Sequence, residues 1–245
     1  MIPKIIHLIW WQGYMNIPNK FIKNIDSWKH HNPNYKIIIW DNKSITKFIK
    51  KIYPKNYIIL NRYFKMIQKI DFSKYLILYY YGGCYVDIDI LCNNSLDLFI
   101  NQDKLNASLF YFTKFRIMPF INNGFIACDK KNDDLLIVIK ECIKRVNFTY
   151  YINEVTILYT TGPVMFSNIL SKSNNVNILD ETIIYETNLG EYGYNTKKGK
   201  LGCHIHELSW VNNYLLYLIK LYNIFNNNYK MIIIPILISI IIYYI

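Results

Sequence analysis

The sequence predicts an α/β fold: a mixed, mostly parallel sheet flanked by helices, followed by an apolar C-terminal helix. Three observations predict it. Short apolar, β-prone runs alternate with segments of helical spacing. A helical stretch ends at Gly82-Gly83 and leads directly into Cys84-Tyr85-Val86-Asp87-Ile88-Asp89, a strand-like run with two carboxylates. The chain is long and apolar enough to build a full core, with 245 residues of which 52% are hydrophobic.

The elements follow in order. Residues 5–10 form a first core strand, and Gly13 and Pro18 mark the loop after it. Residues 19–30 place Phe21, Ile22, Ile25 and Trp28 at helical spacing. Asn32-Pro33-Asn34 is a turn signal. Residues 35–40 read as a second strand and 44–52 as a short helix with Ser44 as its N-cap. Pro54 interrupts the chain, and 57–69 is helical but irregular. Residues 108–112, 124–128, 177–179 and 183–185 read as strands, and 134–146 and 161–170 as helices. Residues 190–202 read as a loop.

The central unit carries the chemistry. Residues 71–81 read as a helix with Asp71 in its first turn, where a carboxylate suits the helix dipole. Gly82-Gly83 ends that helix, and 84–91 returns as one strand. On that strand Asp87 and Asp89 point to the same face, opposite Val86, Ile88 and Ile90. Two like charges side by side want a cation, and hard oxygen ligands suit Mg²⁺ or Mn²⁺. Ten helical steps cover about 15 Å and five strand steps about 17 Å. A reversal at the glycines therefore returns Asp71 and Lys74 to the end where Asp87 and Asp89 lie.

Composition bounds the setting. The formal net charge of +11 favours anionic partners such as sugar nucleotides or lipid headgroups. The lysine pairs are isolated, so nothing resembles a nucleic-acid arm. Five scattered cysteines without a CxxC pair argue for reduced thiols in a cytosol-facing protein, and no signal peptide is recognisable. Residues 231–245, MIIIPILISIIIYYI, carry no charge. The expected division is a catalytic domain over 1–212 and a membrane-associated or transmembrane segment over 213–245.

IPKIIHLIWWQG, NPNYKIIIWD, DFSKYLILYYYGGCYVDIDIL, TTGP and HIHELSW occur in that order. In this the chain resembles the DXD-motif glycosyltransferases, which include fungal initiating mannosyltransferases, mannosyl-inositol-phosphoceramide synthase catalytic subunits and bacterial capsular polysaccharide glycosyltransferases. The resemblance covers about residues 2–210. It implies a GT-A-like nucleotide-sugar-binding fold and metal-dependent, retaining transfer of a hexose from a UDP- or GDP-sugar to a glycan or glycolipid acceptor. By position it implies that Trp10 stacks on the donor base and that Asp71 contacts donor-sugar hydroxyls. Asp87 would touch ribose and metal, Asp89 would ligate Mn²⁺ or Mg²⁺, and Tyr85 would line the pocket. His206, Ser209 and Trp210 would close over metal and diphosphate, with His206 a further ligand. Lys74 stands where the family usually has Arg, keeping the charge but losing the bidentate fork.

Other residues keep simpler readings. His7 reads as a hydrogen-bonded core histidine and His204 as structural. Asp41 either orients a loop or contacts donor. Thr161 either opens a helix or faces acceptor, and Asn122-Asn123-Gly124 is either a turn or an acceptor-side loop. Two other functions compete: a divalent-metal nucleotidyl or phosphoryl transferase, which needs further acids for a two-metal site, and a non-catalytic, membrane-associated carbohydrate-binding protein with a degenerate site.

Overall fold

A six-stranded sheet of order β2-β1-β3-β6-β5-β7 divides the protein into two packed sides. The structure, a computed structural model, describes residues 1–111, 119–186, 199–205, 207 and 211. In chain order the elements are β1 Ile5–Ile9, α1 Asn19–His31, β2 Lys36–Trp40, α2 Asn42–Ile52, α3 Pro54–Arg62, α4 Met66–Tyr81, β3 Gly83–Val86 and β4 Ile90–Cys92. After them come β5 Leu105–Tyr111, β6 Pro119–Cys128, α5 Asp133–Lys144, α6 Asn153–Thr160, α7 Pro163–Leu170, β7 Val176–Leu179, β8 Ile184–Glu186 and β9 Gly202–His204.

The sheet is mixed and mostly parallel, as expected. β2, β1 and β3 run together, β6 runs against β3 and β5, and β7 is parallel to β5. Side-chain alternation sends Tyr85, Ile126 and Cys128 into one core with α2, α4, α5 and α7. Ile6, Leu8, Cys84, Val86, Phe125 and Ala127 enter the other core, against α1. On that second side a small sheet of order β4-β9-β8 adds Ile90, Cys92 and Ile184 to the same core.

Several local readings change. α2 starts earlier than read from sequence, with Asp41 as its N-cap: the Asp41 carboxylate accepts from the Ser44 amide at 2.8 Å, and the Ser44 hydroxyl accepts from the Asp41 amide at 2.9 Å. α4 begins at Met66, so Asp71 lies in its second turn and the dipole rationale does not apply. α6 has no counterpart among the expected elements. The two glycines do end α4. Gly83 adopts φ +95° and faces the Ile5 carbonyl oxygen, which a Cβ would meet at 2.5 Å, so the chain can pass from helix to buried strand only without a side chain.

All five cysteines are buried and unbridged. Among the described residues no helix is long and apolar enough to cross a membrane. The apolar C-terminal helix expected over 213–245 lies outside the described residues.

Candidate active site

The Asp-Ile-Asp motif is a turn, not the continuation of a strand. β3 stops at Val86, and the Ile90 amide donates back to the Asp87 carbonyl at 3.0 Å. α1 holds this turn from outside: Asn24 donates to the Ile88 carbonyl and the Trp28 indole to the Ile90 carbonyl, both at 2.9 Å. Asp87 and Asp89 still converge, but through the turn and not through strand alternation.

The third member of the cluster is His204. β9 pairs with β4 so that His204 stands opposite Ile90. Its Nε2 is 3.3 Å from Asp89 Oδ1 and 4.0 Å from Asp87 Oδ2. The same segment closes over Asp89: the Glu207 amide donates to Asp89 Oδ2 at 3.0 Å, and the Ile205 amide donates to the Asp89 carbonyl at 3.2 Å. His204, read as structural from sequence, thus faces the two acids. His206, Ser209 and Trp210 lie outside the described residues.

Gly124 makes room for this cluster. A Cβ there would lie 2.7 Å from Asp87 Oδ2 and 3.0 Å from His204 Cε1. Its carbonyl accepts from the Asp87 amide at 2.8 Å, fixing the carboxylate against β6. Burial pushes the Asp87 carboxyl up and its neighbour Asp89 adds to this, while Lys74, His204 and the Tyr85 hydroxyl oppose. Tyr85 donates to Asp87 Oδ1 at 2.7 Å.

A divalent cation fits this set. One donor atom from each of Asp87, Asp89 and His204 lies within 4.8 Å of the other two. Hard carboxylate oxygens suit Mg²⁺ or Mn²⁺, and the ion's charge would keep both carboxylates ionised. The imidazole joins under one condition. Asn122 Oδ1 accepts from the Gly124 amide, which turns Asn122 Nδ2 toward His204 Nδ1 at 3.3 Å and leaves the neutral ring's proton on Nε2. Ligation through Nε2 needs the other tautomer, with the Asn122 amide reversed to accept from Nδ1.

Beside the cluster lies a buried polar box. Lys74 Nζ pairs with Asp71 Oδ1 at 2.8 Å, both side chains almost closed to solvent. Asn123 donates to the same oxygen at 3.1 Å, and Thr161 donates to Oδ2 at 3.1 Å. Burial pushes the Asp71 carboxyl up; Lys74 above all, then Thr161 and Asn123, pull against it. Three donors occupy three of about four acceptor positions of a carboxylate, leaving room for one further hydroxyl. Lys74 Nζ also lies 4.9 Å from the centre of the Tyr85 ring, linking the box to Asp87. The helix–glycine–strand reversal therefore does bring Asp71 and Lys74 beside the acids.

Trp10 lies just past the C-terminal end of β1, at the sheet edge where β3 also ends. Its indole donates to the Asn16 carbonyl at 2.9 Å and its ring packs on Phe21. Asn122, Asn123 and Gly124, read as a turn or loop, lie inside β6 with their polar groups on the site. Thr161 faces Asp71. Asp41 caps α2. His7 is a core histidine, its Nδ1 accepting from the Trp40 indole at 3.1 Å and its Nε2 donating to the Gly82 carbonyl at 3.0 Å.

A mixed sheet with an acid turn, an imidazole and a buried acid–lysine pair at one edge is the arrangement expected of a DXD-motif glycosyltransferase. The family described as "Glycosyltransferase sugar-binding region containing DXD motif" matches residues 18–107. An uncharacterized glycosyltransferase, L373, of Acanthamoeba polyphaga mimivirus is 30% identical over 96% of this chain and 92% of its own length. The chain belongs to this DXD-motif glycosyltransferase family. Inositol phosphoceramide mannosyltransferase 3 of Schizosaccharomyces pombe is 32% identical over 69% of the chain, which spans only 45% of that relative. Among solved structures, the PaToxG glycosyltransferase matches with a TM-score of 0.52 and 22% identity, covering 70% of this chain and 69% of that one, a likeness of fold.

Proposed function

We propose that the protein is a metal-dependent, retaining hexosyltransferase that moves mannose from a nucleotide sugar to a glycolipid acceptor. The convergence of Asp87, Asp89 and His204 beside the Asp71–Lys74 box carries this reading. The choice of mannose and of a lipid acceptor rests on the names of the fungal relatives, mannosyltransferases acting on inositol phosphoceramide. Retention rests on the family likeness. The net charge of +11 suits an anionic donor and an acceptor with a phosphodiester headgroup.

Asp89 and Asp87 would hold Mn²⁺ or Mg²⁺, with His204 or His206 as a further ligand. The bound ion supplies Lewis-acid stabilisation of the departing diphosphate. Asp71 would accept one donor-sugar hydroxyl at its remaining position, and Lys74, paired with it at 2.8 Å, favours the carboxylate form that this task needs. Tyr85 holds Asp87 in place by its hydroxyl bond. Trp10 is assigned to the donor base at the edge, and Ser209 and Trp210 to the diphosphate. Residues 1–212 form the catalytic domain in this reading, and the uncharged run 231–245 attaches it to a membrane.

Calorimetric titration of the full chain with GDP-mannose and UDP-glucose, with and without Mn²⁺, tests the assignment. Metal-dependent binding of one donor is expected, and its loss in a folded Asp89→Ala variant. Donor binding that is indifferent to both metal and Asp89 sinks the assignment. Metal-dependent binding without donor hydrolysis or transfer to inositol-phosphate lipid points instead to a carbohydrate-binding protein.

A further inference from the structure

Between residues 42 and 70 the chain carries eight lysine and arginine residues and no aspartate or glutamate. In sequence they are scattered; in the fold α2, α3 and α4 pack side by side and gather them. Lys47 and Lys51 form an exposed i,i+4 stripe on α2. Lys50 Nζ lies 4.6 Å above the Tyr57 ring, tying α2 to α3. The Tyr57 hydroxyl is drawn below its usual range by Asn61 first, then by Lys50 and Lys69. Among the described residues none of the eight is paired with a carboxylate.

Large apolar side chains interleave with these cations. Ile58, 64% exposed, shares the outer face of α3 with Lys55 and Arg62 at helical spacing. Phe64 and Met66 are exposed at the start of α4, with Lys65 Nζ 5.4 Å from the Phe64 ring. Lysines beside bare aliphatic groups suit the boundary between headgroups and acyl chains. Ile58 and Met66 offer no plane on which a nucleic-acid base could stack.

We propose that the outer face of α2, α3 and the first turn of α4 docks on a bilayer carrying anionic lipid. The lysines take the headgroup phosphates, and Ile58, Phe64 and Met66 take the interfacial hydrocarbon. One weak membrane signal gives only marginal attachment, and this face adds a second to the uncharged run 231–245. Asp71 follows Met66 by about 8 Å along the helix axis, so docking here sets the donor site close to the bilayer surface. The proposal stands on charge and exposure, and vesicle binding is read without any transfer assay; it can fail while glycosyl transfer holds, and the reverse.

Flotation of the full chain with vesicles of phosphatidylcholine, alone or mixed with phosphatidylserine, tests it. The mixed vesicles should bind more tightly, by an increment that shrinks as salt rises. At about 1 kcal/mol per cation, reversing three cations should lower mixed-vesicle partitioning by about 100-fold or more. Lys47→Glu, Lys51→Glu and Lys55→Glu combined should therefore lose the increment. Lys36→Glu, Lys130→Glu and Lys172→Glu combined, an equal charge change at exposed sites elsewhere, should keep it. Ile58→Asn with Phe64→Asn, which leaves the charge alone, should also weaken mixed-vesicle binding and decides the matter if the first triple variant does not fold. Equal loss in both triple variants assigns the increment to net charge and overturns the proposal. So does unchanged binding of the apolar variant, or tighter binding of single-stranded RNA than of mixed vesicles.

Discussion

Gly124 shows how a single missing side chain shapes the site. The Asp87 carboxylate and the His204 ring both lie against its Cα, closer than a methyl group would allow. Alanine there is compatible with a strand, so its effect should be local. The added Cβ must displace Asp87 Oδ2 or His204 Cε1, which loosens the proposed cation set while leaving the core intact. In Gly124→Ala the metal-dependent donor affinity should fall by about 10- to 100-fold, the usual cost of disturbing groups that orient metal ligands. Calorimetry with a melting curve as the fold control reads this. Unchanged affinity in a folded variant would show that the Asp87 carboxylate is not needed where it lies. The sequence marks Gly124 only within an Asn-Asn-Gly turn signal and not as the neighbour of Asp87 and His204, because these come from 37 residues before it and 80 after it.

At the scale of elements, local signals were readable and their long-range partners were not. The glycine pair, the buried strands and the reversal that returns Asp71 to the acids follow from periodicity and chain geometry alone. The Asp-Ile-Asp turn does not, because bonds from Asn24 and Trp28 on α1 hold it, more than 60 positions away. Asn122-Asn123-Gly124 reads locally as a turn and becomes strand because its amides are satisfied by His204, Asp71 and Tyr75. His204 looked structural because nothing local shows that β9 pairs with β4. Asp41 illustrates the opposite outcome: a residue with a possible place at the donor edge is fully explained by its own helix. Ser44 both bonds its carboxylate and holds it below the usual carboxylate range. Asp41→Ala should therefore cost about 1 kcal/mol of stability, the worth of an N-cap, with donor affinity unchanged, and Asp41→Ser should recover most of it. A selective loss of donor binding in Asp41→Ala would move this residue into the site.

At the scale of the whole molecule, His7 joins β1, β2 and the end of α4 through two bonds that fix its protonation. The Trp40 indole can only donate, so His7 Nδ1 must accept, and the proton stays on Nε2 facing the Gly82 carbonyl. A second proton has no place to go. Burial accordingly lowers the His7 pKa from 6.5 to about 4, only partly opposed by the bond to Gly82. Between those two values the unfolded chain binds a proton that the folded chain refuses, so this contribution is complete above about pH 6.5 and is lost as pH falls toward 4. A shift of that size corresponds to about 3 kcal/mol across the window. Carboxylates titrate in the same range, so the comparison must be made against a variant that lacks only the imidazole. In His7→Gln, stability at pH 7 should fall because the two bonds are strained or lost. The further loss between pH 7 and pH 4.5 should be smaller than in the parent by about 2–3 kcal/mol, measured by urea unfolding at both values. Equal acid losses in the two proteins would mean that the sheet tolerates a charged His7, and that the Trp40–His7–Gly82 chain does not set the acid limit of the fold.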